Sequence, residues 1–176
     1  MEKVITIFGS SFTSSDEELY SQVQEIGKLL AENNYTVCSG GYAGTMEAVS
    51  KGAKSAKGKT FGITVESWSS QPNKYIDENV KMPNLMERLT ELIAIGDAYI
   101  IFKGGTGTLV EISVALELMN KKFMKEKPFI FFSNFWLAAV ETLKNDSERV
   151  ADLIKRNVNF VNNPLEIIPL LNSFKF

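Results

Sequence analysis

The sequence has no histidine in its 176 residues. That excludes an imidazole general base, serine-histidine triads and histidine-ligated zinc. It has one cysteine, Cys38, which excludes an intramolecular disulfide and any multi-cysteine metal site. Catalysis, if there is any, has to use carboxylates, lysine, arginine, hydroxyls or backbone groups. No metal site and no cofactor are expected. Neither sign of charge dominates: 19 basic and 21 acidic residues leave a formal net charge of -2. The charges are mixed along the chain, with no basic arm or stripe, so nucleic acid is not an expected partner. Long hydrophobic runs are missing as well. Residues 128–140 are the most apolar stretch, but Ser133 and Asn134 interrupt it, and it falls short of the roughly 20 residues of a spanning helix. The apolar run in residues 1–8 is too short for a signal peptide. No membrane association and a cytoplasmic location are expected.

What is present is a globular composition, 44% hydrophobic and 11% aromatic. It excludes disorder and is enough for one core, read as a single domain over residues 1–176. Strand-like segments fall at 4–8, 35–38, 60–65, 98–102 and 129–132, with a short last strand at 157–161. Between them lie helical patterns. The first carries Leu19, Val23, Ile26, Leu29 and Leu30 at three-four spacing, is placed to be capped by Ser14, Ser15 or Asp16, and closes at Asn33-Asn34. Others cover about 43–56, 84–95, 108–120 and 165–171, and one more begins at 136–143. Residues 66–83 have no period and hold two prolines, so they read as a long functional loop. The alternation implies a Rossmann-like α/β fold, three layers with helices on both faces of a parallel sheet.

Three strands run into small-residue turns before a helix: Gly9-Ser10-Ser11, Ser39-Gly40-Gly41 and Gly104-Gly105-Thr106-Gly107-Thr108. In an open α/β sheet the ligand sits beyond the carboxyl ends of the strands, where strand order reverses. With the five strands ordered 3-2-1-4-5, the first and third turns face each other across one crevice. Glycine lets backbone approach a ligand closely, and the N–H groups and dipole of the following helix favour an anion. The third turn is therefore read as a phosphate site with Thr106 and Thr108 as further donors. Neither a P-loop nor a Gly-x-Gly-x-x-Gly fingerprint is present. The alternative is that these are tight turns only.

Glu111 stands three residues after Thr108. It fits a capping box with Thr108, and equally a carboxylate beside the sugar of a bound nucleotide. Arg88 lies beside the stripe formed by Leu85, Leu89, Leu92 and Ile93, and spacing alone reads it as a solvated face residue.

The segments Ser39-Gly40-Gly41-Tyr42-Ala43-Gly44-Thr45-Met46-Glu47, Met86-Glu87-Arg88 and Gly104-Gly105-Thr106-Gly107-Thr108-Leu109-Val110-Glu111 together resemble the Lonely Guy family, whose members were long labelled lysine decarboxylases. Order and spacing agree over most of the chain. The resemblance implies a Rossmann-like homodimer. It also implies a phosphoribohydrolase that cleaves AMP or a cytokinin riboside monophosphate to free base and ribose 5-phosphate. Arg88 and Glu111 then match the family's essential arginine and glutamate. Gly9, Ser10, Gly40, Gly41, Gly104, Gly105, Thr106, Gly107 and Thr108 are the expected substrate-binding residues. The chain departs from the pattern at Lys103 (proline), Leu89 (lysine), Thr106 (an aromatic) and Glu47 (glycine), which marks a divergent branch. Some relatives of this kind are nucleotide or cofactor carriers, so a non-catalytic binding protein is the alternative.

Overall fold

A computed structural model describes residues 2–15 and 17–174. Within them the strands are β1 (Lys3–Phe8), β2 (Tyr35–Ser39), β3 (Thr60–Val65), β4 (Glu78–Met82), β5 (Ala98–Ile101), β6 (Phe129–Phe132) and β7 (Val158–Val161). The helices are α1 (Glu18–Glu32), α2 (Thr45–Ser55), α3 (Leu85–Ile95), α4 (Thr106–Asn120), α5 (Leu137–Lys144), α6 (Glu148–Asn157) and α7 (Ile167–Ser173). A 3-10 turn at Pro164–Glu166 leads into α7.

All seven described strands form one sheet, ordered β4-β3-β2-β1-β5-β6-β7. Every pairing is parallel. The inner five follow the supposed order 3-2-1-4-5, and the reversal lies between β1 and β5. The central strands carry apolar residues on both faces because helices cover both sides. β5 (Ala98, Tyr99, Ile100, Ile101) and β6 (Phe129, Ile130, Phe131, Phe132) are buried at every position. One core joins the sheet to α1, α2 and α7. The other joins it to α3, α4, α5 and α6. α1 meets α2 backbone to backbone. A Cβ on Gly52 would stand 1.8 Å from the Gln24 carbonyl oxygen, and one on Gly27 would stand 2.1 Å from that of Val49.

Three expectations need correction. The stretch 66–83 is not all loop, because β4 occupies Glu78–Met82. As an edge strand it pairs on one side only, so it can carry Glu78, Asn79 and Lys81 and shows no apolar run. The helix beginning at residue 136 is two helices, α5 and α6. They break at residues 145–147, where the Ser147 hydroxyl caps α6 by accepting from the Val150 N–H. The N-cap of α1 is Glu17, without a side-chain cap bond. Ser14 and Ser15 precede it, and Asp16 lies outside the described residues.

Candidate active site

At the carboxyl ends of β1, β2 and β5, on the reversal point, lies a cleft of about 540 Å³. One wall is the turn after β1. The Ser10 N–H donates to the Lys103 carbonyl (3.1 Å), binding this turn to the end of β5, and the Thr45 N–H donates to the Ser10 carbonyl (2.9 Å). Gly44, with φ +65°, packs its Cα so close to Ser10 that a Cβ would stand 2.5 Å from the Ser10 carbonyl oxygen. Both its conformation and this contact require glycine.

The facing wall is the start of α4. The helix begins at Thr106, two residues earlier than the sequence indicated, and Gly105 is its N-cap with no side-chain cap bond. Thr108 therefore sits inside the first turn rather than at the cap. Its hydroxyl packs over Gly104, where a Cβ would stand 2.2 Å from Oγ1. The Thr108–Glu111 capping box does not form. The first N–H groups of α4 are thus left to face the cleft. A Cβ on Gly105 or Gly107 would meet no heavy atom within 4 Å, and neither glycine has a positive φ. Neither packing nor backbone conformation demands glycine at these two positions, but close approach of a ligand would.

Arg88 is buried, not solvated. The buried positions of α3 are Arg88, Leu89, Leu92 and Ile93, so Arg88 is the polar member of a three-four stripe. Leu85, assigned to that stripe from spacing, is exposed instead. Asn84 fixes the helix start by accepting from the Met86 and Glu87 N–H groups (both 3.0 Å). The Arg88 Nε donates to the Ile63 carbonyl (2.7 Å). The guanidinium lies across Gly40, where a Cβ would stand 1.8 Å from Nη2. It also lies 5.6 Å from the ring centroids of both Tyr42 and Trp68. Among the described residues its Nη nitrogens have no hydrogen-bond partner, and Arg88 lines the cleft.

Glu111 lines the same cleft from α4. Burial pushes its carboxyl up to about 7, and the attraction of Arg88 offsets that rise only in part. Burial lowers the Arg88 pKa, while Glu111 holds it up. The two are electrostatic partners, although no contact ion pair joins them among the described residues. Cys38 is buried, and burial pushes its thiol up to about 12. Among the described residues no cluster of three or more acidic, histidine or cysteine side chains is placed to hold a metal ion. No described helix is long and apolar enough to cross a membrane.

Of the residues singled out in the sequence, Gly9, Ser10, Arg88, Gly105, Thr106, Gly107, Thr108 and Glu111 meet on this cleft. Gly40, Gly41 and Gly104 lie behind it. Gly40 makes room for Arg88 and Gly104 for Thr108, and Gly41 (φ +78°) turns the chain against Gly62 and Thr64. Sequence reasoning missed Phe12, Tyr42, Met46, Trp68 and Gln71, which also line it. Tyr42 lies within the second turn, which extends to Gly44, and Met46 lies in the first turn of α2. Trp68 and Gln71 belong to the aperiodic segment. Asn73 pins that segment over the second turn: its N–H donates to the Gly41 carbonyl (2.8 Å), and its Nδ2 donates to the carbonyls of Gly41 (3.1 Å) and Tyr42 (2.9 Å).

The model of the SLOG cluster4 family matches residues 2–158. An uncharacterised protein of Archaeoglobus fulgidus is 34% identical over 113 residues, 64% of this chain and 74% of that protein. The pyrimidine/purine nucleotide 5′-monophosphate nucleosidase of Escherichia coli is 27% identical over 133 residues. That match takes in 70% of this chain but only 29% of the nucleosidase. Among solved structures, the molybdenum cofactor binding protein of Rippkaea orientalis superposes with a TM-score of 0.77 at 25% identity, covering 98% of this chain and 97% of that one.

Proposed function

The chain belongs to the SLOG cluster4 family, and on that footing we propose that its cleft hydrolyses the N-glycosidic bond of a nucleoside 5′-monophosphate. The products are the free base and ribose 5-phosphate, and AMP or a cytokinin riboside monophosphate is the substrate class. One observation carries the reading. A carboxylate with its pKa raised to about 7 and an arginine whose Nη groups have no partner among the described residues face the same cleft, beside a helix N-terminus with no side-chain cap bond. The phosphate sits on the N–H groups at Thr106 to Thr108, where no described side chain competes for them. Held there, it fixes the sugar over Glu111 through binding energy remote from the reacting bond. Breaking the bond between C1′ and the base nitrogen builds positive charge on the ribose. The Glu111 carboxylate stabilises that charge and accepts a proton from the attacking water. The water oxygen bonds to C1′, and the electron pair of the broken bond leaves with the base, which takes up a proton. Arg88 binds the phosphate or the ribose hydroxyls and favours the ionised form of Glu111. The nucleosidase similarity supports this reading.

A second reading is a carrier that holds a nucleotide-like ligand without cleaving it. The likeness to a molybdenum cofactor binding protein along nearly the whole chain favours it. Incubation with a panel of nucleoside monophosphates, with free base followed by chromatography, separates the two. Base release lost in both Glu111→Gln and Arg88→Ala supports the hydrolase. Binding without release from any nucleotide supports the carrier. Exposed Leu85, Met86, Leu109 and Val110 at the starts of α3 and α4 support assembly as a homodimer, which sedimentation tests.

A further inference from the structure

Phe12 is 92% exposed, and Trp68 is 46% exposed. Both line the cleft. Neither is a stray surface residue. The Phe12 N–H donates to the Ser10 hydroxyl (3.0 Å), so the turn that forms one wall of the cleft also presents the Phe12 ring. Trp68 packs against Tyr42, with ring centroids 5.3 Å apart, and lies beside the Arg88 guanidinium. Much of its indole is still open. Its position is set from both ends of the segment. The Trp68 N–H donates to the Val65 carbonyl (3.3 Å) at the end of β3, and Asn73 is tied to the second turn. The cleft is thus polar at the start of α4 and aromatic around Phe12 and Trp68. An apolar ring left in water at the mouth of a cleft gains by covering a flat partner, and a heteroaromatic base presents a π-face of that kind whatever its edge pattern.

We propose that Phe12 and Trp68 form the ring-binding subsite of the cleft, stacking the planar heterocycle of the ligand while the start of α4 holds its phosphate. The inference rests on the nucleotide reading above, and it holds for a hydrolase and a carrier alike. Stacking recognises a π-face rather than a hydrogen-bond pattern, so the subsite accepts purine and pyrimidine rings with modest preference.

The test is binding, measured in a Glu111→Gln background so that turnover does not interfere. AMP and ribose 5-phosphate, which lacks the ring, are titrated against the parent, Phe12→Ala, Phe12→Tyr and Trp68→Ala. The expected result is a loss of about tenfold in AMP affinity for each alanine variant. Affinity for ribose 5-phosphate should stay unchanged, and Phe12→Tyr should restore AMP binding. AMP should also quench the emission of Trp68, with a reduced response in Trp68→Ala. Equal losses for both ligands, or no loss for AMP, overturn the subsite. The failure of the hydrolase reading looks different: no base is released by the unmodified protein, while ring-dependent AMP binding persists.

Discussion

Replacing Glu111 by glutamine should move stability and activity in opposite directions. The carboxyl is pushed from an ordinary 4.5 up to about 7 in the folded chain. Each tenfold change in proton affinity is worth about 1.4 kcal/mol, so ionised Glu111 costs the fold about 3 kcal/mol, an upper figure because the side chain is only half-buried. The folded state holds this proton more tightly than the unfolded one. The wild-type protein is therefore at its best, with respect to this group, below pH 4.5, and it loses stability as the pH rises towards 7. Above that the loss is complete. Glutamine resembles the protonated form and does not ionise. Glu111→Gln should match the wild type in urea unfolding at pH 4.5 and exceed it by about 2–3 kcal/mol at pH 8. Base release should be abolished in the same variant. In the wild type, kcat/KM should rise with pH to a plateau above about 7, because the ionised carboxylate is the working form. A variant no more stable than the wild type at pH 8 would refute the argument that burial dominates at this site.

Gly40→Ala should leave the fold intact, because its Cβ strikes the end of the Arg88 side chain rather than backbone. The displaced guanidinium should cost about 100-fold in kcat/KM, with near-normal thermal unfolding. Gly105→Ala has room for its methyl among protein atoms, so stability should change by less than about 0.5 kcal/mol. Phosphate affinity, followed by calorimetry, should drop by about tenfold or more. Gly52→Ala drives a methyl into the Gln24 carbonyl between α1 and α2 and should destabilise the protein by about 1–3 kcal/mol or more in denaturant titrations. Cys38 should react with a thiol reagent only on unfolding, since the buried thiol is held far from its thiolate form at neutral pH.

The parallel sheet was legible because strands alternate with helices, whereas its order, which alternation does not fix, was only supposed. β4 was not legible, because an edge strand tolerates Glu78 and Lys81 in place of an apolar run. The glycine turns located the cleft, but their individual roles depend on what each residue packs against. Gly40 and Gly104 clear space for Arg88 and Thr108, while Gly105 and Gly107 leave space open. Arg88 was misread because a buried arginine sits on the same spacing as leucine, and only the tertiary partners, the Ile63 carbonyl and the two aromatic rings, separate the cases. Phe12 and Trp68 carry no spacing signal of their own. They matter through the cleft they edge.

The ambiguity at Glu111 turns on where α4 begins. Had Thr108 been the N-cap of α4, the Glu111 carboxylate would have reached back to its N–H and gained a hydrogen bond that lowers its pKa. Because α4 begins at Thr106, Glu111 lies well inside the first turns, without that support and with its carboxyl raised to about 7. A residue whose work was structural would be expected to stabilise its surroundings, whereas this one is costly once ionised. The two proposed functions then make opposite demands on its proton. A hydrolase needs the carboxylate beside the developing positive charge, so catalysis strengthens as the proton leaves. A carrier of an anionic ligand needs the neutral acid, since an ionised Glu111 sets a like charge near the phosphate, and its affinity weakens through the same pH range. Phosphate-ligand affinity and base release measured on one preparation between pH 5 and 9 therefore read the same ionisation from both sides.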